Sequence, residues 1–145
     1  MTKLHETVVS PVDRETAFAY ISDWSRQAEW DPNTVSAARI GEGAPEVGGR
    51  YALEVKGFRA PLSMEYRITE LVAPERLVLV GESRYVWTED ILTFTETEAG
   101  TQVEYEAELK LNGPLGLLEP FLGRYFDGIG KGVVEGMQRE LDARA

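Results

Sequence analysis

"SPVDRETAFAYISDWSRQAEWDPNTV", residues 10–35, sets two tryptophans, Trp24 and Trp30, into a stretch rich in charge and amide. An indole ring is costly to leave in water, so each needs a surface to cover it. Ser10 suits a helix cap, Pro11 the first helical position, and Asp13 the first turn, where the helix dipole favours a negative charge. Ala17, Ile21 and Trp24 follow at i, i+4 and i+7 with Phe18 beside them, the spacing of one buried helix face. Asp23 can cap a second short helix through about Glu29. Asp31 precedes Pro32 and is pushed out of helical geometry, so the chain turns there. Trp24 is in register with the buried face and reads as core. Trp30 lies beyond it, and either a core or a cavity mouth would cover its ring.

Outward from this pair of helices the period changes. Leu4 to Val9 suggests a short strand before them. After Thr34, Tyr51, Leu53 and Val55 alternate with Arg50, Ala52 and Glu54, and Leu62, Met64, Tyr66 and Ile68 alternate with Ser63, Glu65, Arg67 and Thr69. Val103, Tyr105, Ala107 and Leu109 alternate with Gln102, Glu104, Glu106 and Glu108. One greasy and one wet face per strand is the mark of an antiparallel sheet covered on one side. Arg76–Val80 and Val86–Thr95 supply two more strands, the second with poor alternation. The turns "GEGAPEVGG", "KGFRAP", "VAPER" and "TEAGT" carry Gly or Pro. The first of these could suggest a phosphate loop, but a strand follows it where a helix would be needed, so it reads as a hairpin turn. From Pro114, apolar residues recur at helical spacing through Leu118, Leu122, Tyr125, Phe126, Ile129 and Val133 towards Leu141, and Pro120 should kink that helix or delay its regular part. The order is strand, two helices, six strands, one long helix: an α+β class.

The 145 residues fit one domain, 1–145, with a net charge of −10. That charge disfavours nucleic acid and an anionic membrane surface as partners. No apolar run approaches the roughly 20 residues of a membrane span, and no secretory signal is evident, so a cytoplasmic address is expected. There is no cysteine and one histidine, His5, which argues against metal sites, thiol chemistry and a Ser-His-Asp triad. No cofactor is implied, and monomer and homodimer stay open.

Five stretches in order carry a resemblance: "SPVDRETAFAYISD", "AEWDPNTV", "EVGGRYALEV", "AGTQVEY" and "GPLGLLEPFL". Together they make the chain similar to the START-like, or SRPBCC, superfamily, whose archetype is the birch pollen allergen, and to its polyketide cyclase/dehydrase branch. The resemblance implies a helix-grip fold, in which a curved seven-stranded antiparallel sheet wraps a long C-terminal helix and two short helices follow the first strand. It also implies a mostly apolar cavity between sheet and helix. The function expected first is non-catalytic binding of a small hydrophobic or aromatic molecule, as carrier, sensor or sequestering protein. A cyclase, dehydratase or aromatase-type enzyme is the alternative, and a protein-interaction module the third.

The residues expected around the cavity are Trp30, Tyr51, Leu53, Met64, Tyr66, Trp87, Tyr105, Phe121, Tyr125 and Ile129. Hydrophobicity turns Met64 and Tyr66 inward and leaves Glu65 and Arg67 on the wet face; a one-residue change of register would reverse this and make that pair candidate catalytic groups. Five glycines in the last helix, Gly123, Gly128, Gly130, Gly132 and Gly136, mark either close approach of the sheet or space left for a ligand.

Overall fold

The computed structural model describes residues 2–57 and 60–145; the "KGFRAP" turn includes Phe58 and Arg59, which lie outside the described residues. β1 (Thr2–Ser10) leads into α1 (Arg14–Ser22) and a 3-10 turn (Trp24–Glu29). Six strands follow: β2 (Thr34–Ile40), β3 (Arg50–Val55), β4 (Leu62–Val72), β5 (Arg76–Glu82), β6 (Val86–Thr97) and β7 (Gly100–Leu111). A second 3-10 segment (Gly113–Phe121) then joins the long α2 (Gly123–Asp142). The strands form one antiparallel sheet in the order β1-β7-β6-β5-β4-β3-β2, curved about α2 in the helix-grip manner.

The helix starts differ from the expectation. Ser10 does not cap α1: its hydroxyl accepts from the Val12 N–H at 3.3 Å and donates to Asp142 on α2 at 2.8 Å. The cap is Asp13, in extended geometry, whose carboxylate accepts from the Thr16 N–H at 3.0 Å. Asp23 caps the 3-10 turn as expected, accepting from the Ser25 N–H at 3.2 Å. Trp24 opens that turn rather than closing α1, yet its ring is fully buried with Ala17 and Ile21. Pro120 delays the last helix: the segment holding it is 3-10, and regular helix begins only at Gly123.

Register fixes the two sheet faces. Met64, Tyr66 and Ile68 are buried on β4, while Glu65 and Arg67 are exposed and Glu65 pairs with Arg50 at 3.4 Å. On β6 the buried positions are Thr88, Asp90, Leu92 and Phe94. Trp87 is therefore on the outer face, between Glu82 on β5 and Lys110 on β7, and not inward as expected. Leu92 and Phe94 are the more demanding pair, and a period of two then sends Trp87 out and Asp90 in.

Three of the five helix glycines are close approaches. A Cβ at Gly136 would collide with the Trp30 carbonyl, one at Gly132 would lie 2.7 Å from Pro32, and one at Gly130 would strike Leu4 and Glu6 on β1. What crowds Gly132 and Gly136 is thus the link after the 3-10 turn, not the sheet. Gly123 and Gly128 face open space.

Candidate ligand-binding site

The inner sheet face carries polar groups where an apolar lining was expected. Gly81, inside β5, lies between Tyr66 and Thr88 in the same cross-strand row. A Cβ there would stand 2.6 Å from the Tyr66 ring and 2.8 Å from the Thr88 hydroxyl, so the missing side chain lets that ring lie across the sheet. The Thr88 hydroxyl donates to the Tyr66 hydroxyl at 3.5 Å. One inner position further along β6, Asp90 lies between Leu79 and Ala107, with only 4% of its surface exposed. Burial first, and then the charge of Asp31, push the Asp90 carboxyl up to about 7, against hydrogen bonding to the Tyr105 hydroxyl. Burial and the nearby Asp90 charge also raise both Tyr66 and Tyr105.

The 3-10 turn closes the site from above. Trp24 and Trp30 meet edge-to-face at 5.5 Å; Trp24 stands 6.0 Å from Tyr66 and Trp30 stands 6.2 Å from Tyr105. The four rings form a horseshoe, Tyr66–Trp24–Trp30–Tyr105, and Asp90 acts on both tyrosine ends. Behind the tryptophans, Asp31 is buried and accepts from the Asn33 N–H at 2.8 Å, the Gln27 amide at 2.8 Å and the Thr34 hydroxyl at 3.3 Å. Its carboxyl is nonetheless raised, because burial outweighs those bonds. Neither indole N–H of Trp24 and Trp30 has a hydrogen-bond partner among the described residues.

Exposure rises from the cluster towards the end of β7. Tyr66, Thr88, Tyr105 and Met64 keep between 5% and 8% of their surface. Leu62, Val86, Leu109 and Ile129 come next, half-buried against the core. Beyond them, Leu117, Phe121 and Tyr125 stand exposed on the second 3-10 segment and the start of α2. The Asn112 N–H donates to the Tyr85 carbonyl at 2.8 Å and ties this segment to the β5–β6 turn. A groove of about 380 Å³ lined by Glu82, Ser83, Val86, Trp87, Lys110 and Asn112 lies on the other side of the sheet, beside the outward-facing Trp87.

Of the expected lining residues, Trp30, Tyr66 and Tyr105 meet in the horseshoe. Tyr51, Leu53 and Met64 are buried on the neighbouring strands, Tyr51 accepting from Arg39 at 3.2 Å. Ile129 packs at the edge. Phe121 and Tyr125 are exposed rather than lining an interior, Phe121 at the end of the second 3-10 segment and Tyr125 on the outward side of the first turn of α2. Asp90, Thr88 and Asp31 were missed. The signal for Thr88 and Asp90 was their even spacing from Leu92 and Phe94.

Chemically, the hydroxyls and a carboxyl poised near neutrality can donate or accept hydrogen bonds to the polar end of a molecule whose remainder is apolar. The model of the family described as "Polyketide cyclase / dehydrase and lipid transport" matches residues 1–142. A START superfamily protein from Mycobacterium smegmatis superposes with a TM-score of 0.79 at 12% identity over 100% of both chains. The di-domain ARO/CYC StfQ from the steffimycin biosynthetic pathway does so at 0.75 and 11% identity, over 99% of this chain and 51% of that one. A protein from Chromobacterium violaceum gives 0.69 and 16% identity, over 98% and 99%. No curated protein matches the chain. At these identities the solved structures speak for the fold alone.

Proposed function

The chain belongs to the polyketide cyclase/dehydrase and lipid transport family, and from that premise we propose that it binds a small hydrophobic or aromatic molecule between the sheet and α2. The polar end of the ligand sits at Tyr66, Thr88, Asp90 and Tyr105, and its apolar part runs past Leu109 and Val86 to the mouth. One observation carries this reading: hydroxyls and a carboxyl are buried on an otherwise apolar face, at the end that grades into exposed Leu117 and Phe121. The Thr88–Tyr66 and Tyr105–Asp90 hydrogen bonds use only part of their capacity, and the indole N–H groups of Trp24 and Trp30 beside them have no partner among the described residues. Native mass spectrometry of protein purified from cells tests it. A co-purified small molecule is expected, lost from a Leu109→Trp variant that narrows the mouth; a protein that carries and takes up no apolar molecule refutes the reading.

Asp90 favours a second reading. A carboxyl near neutrality beside a tyrosine hydroxyl can pass a proton, as a cyclase or dehydratase step requires. Turnover of a bound polyketide-like substrate that disappears in Asp90→Asn, with binding retained, would select the enzyme over the carrier.

A further inference from the structure

Among the described residues, the charges acting on Asp90 are all of one sign. From the link after the 3-10 turn comes Asp31, and from its own strand Glu89; the other titratable group acting on it is the Tyr105 hydroxyl. On β1, Glu6 lies opposite Tyr105, and on β4 the facing group is Tyr66. The buried side chains of α2 against this face, Phe126, Val133 and Met137, carry no charge. Lys56 acts on Asp31, but among the described residues no lysine or arginine is found acting on Asp90.

Asp90, with the charge of Asp31 acting on it from behind the tryptophans and four aromatic rings around it, defines the ligand the site would hold. An anion meets repulsion from both acids, and a neutral molecule leaves the carboxylate uncompensated. An ammonium brings the missing charge and several N–H donors, and ring faces attract cations as well. We infer that the site takes a small amphipathic amine, its ammonium on Asp90 within the Tyr66–Trp24–Trp30–Tyr105 horseshoe and its apolar remainder directed to the mouth; this rests on the ligand-binding reading above.

The ammonium and a proton then compete for Asp90. Amine binding releases protons near neutrality and weakens in acid, where the carboxyl is already neutral. The probes are benzylamine, benzyl alcohol and benzoate, close in size and differing in charge, titrated calorimetrically at about pH 8 and about pH 5.5, both below the usual range of an aliphatic ammonium. Benzylamine is expected to bind about tenfold tighter than benzyl alcohol at the higher pH, and to lose most of that margin at the lower. Repeating the titration near neutrality in buffers of different ionisation heat should show protons released. Asp90→Asn should remove the margin, bringing benzylamine and benzyl alcohol to similar affinity. If that variant does not fold, the pH dependence and proton release of the unmodified protein still decide. Benzyl alcohol or benzoate binding as tightly as benzylamine at the higher pH, or a margin that survives in acid, overturns the amine inference and keeps the ligand-binding reading. Binding of none of the three overturns the amine inference, and the ligand-binding reading is then decided by the co-purified molecule.

Discussion

Asp90 is a carboxyl whose folded-state pKa, about 7, lies above its ordinary 3.8. The folded protein therefore holds more protons than the unfolded chain between those values. Its contribution is fully present below about pH 4 and is lost as pH rises towards 7, at no more than about 1.4 kcal/mol per unit. Asp90→Asn should flatten that decline and leave the protein more stable than the parent at pH 8, by an amount on the order of 1–3 kcal/mol. Chemical denaturation from pH 4 to 8 checks it; an unchanged slope would mean that another group sets the profile. Tyr105→Phe and Tyr66→Phe should each weaken a bound ligand by about 0.5–1.5 kcal/mol, the worth of one neutral hydrogen bond, while the fold persists. Equal affinity in both variants would take the hydroxyls out of the site. Arg67 lies on the exposed face, so Arg67→Ala should alter neither melting nor affinity by more than about 0.5 kcal/mol.

At the scale of the element, α2 separates two kinds of glycine. Gly128→Ala adds a methyl group to open space and should stabilise by up to about 1 kcal/mol through helix propensity alone. Gly136→Ala puts a Cβ into the Trp30 carbonyl and should destabilise by about 1–3 kcal/mol, shifting the roof over Tyr105. Thermal melts of the two variants should move in opposite directions. The same helix shows what could be read in advance. Strands β3, β4 and β7 were legible because Tyr51, Met64, Tyr66 and Tyr105 alternate strictly with charged or polar residues, and that alternation also placed two of the four horseshoe rings, Tyr66 and Tyr105. β6 resisted because Asp90 and Thr88 take inner positions while Trp87 and Ile91 face out, so its polarity contradicts its register. The caps were ambiguous for a local reason: Ser10 and Asp13 both suit the role, and only the hydrogen bond from Ser10 to the distant Asp142 removes the first. The carboxyl cluster itself joins Asp31 to Asp90 through tertiary packing, which no local pattern encodes.

For the whole molecule, the three tryptophans divide into a buried pair and one on the outer sheet face. In a Trp87→Phe variant the remaining emission should lie to the blue and resist iodide, and ligand entry should change it; strong iodide quenching before ligand is added would place the pair in contact with solvent. The sheet order has a consequence for how the molecule comes into being. β1 is the first strand to be synthesised, but its neighbour is β7, through pairs running from Ser10–Thr101 to Thr2–Leu109. Until β7 has emerged from the ribosome, β1 has no strand beside it, and Leu4 and Val8 lack the α2 face that later covers β1. Closing so long a loop is slow, and an unpaired strand edge invites association with other chains. The nascent fold is therefore most exposed to such association until β7 has been made, and a holdase that engages Thr2–Ser10 would protect it through that interval.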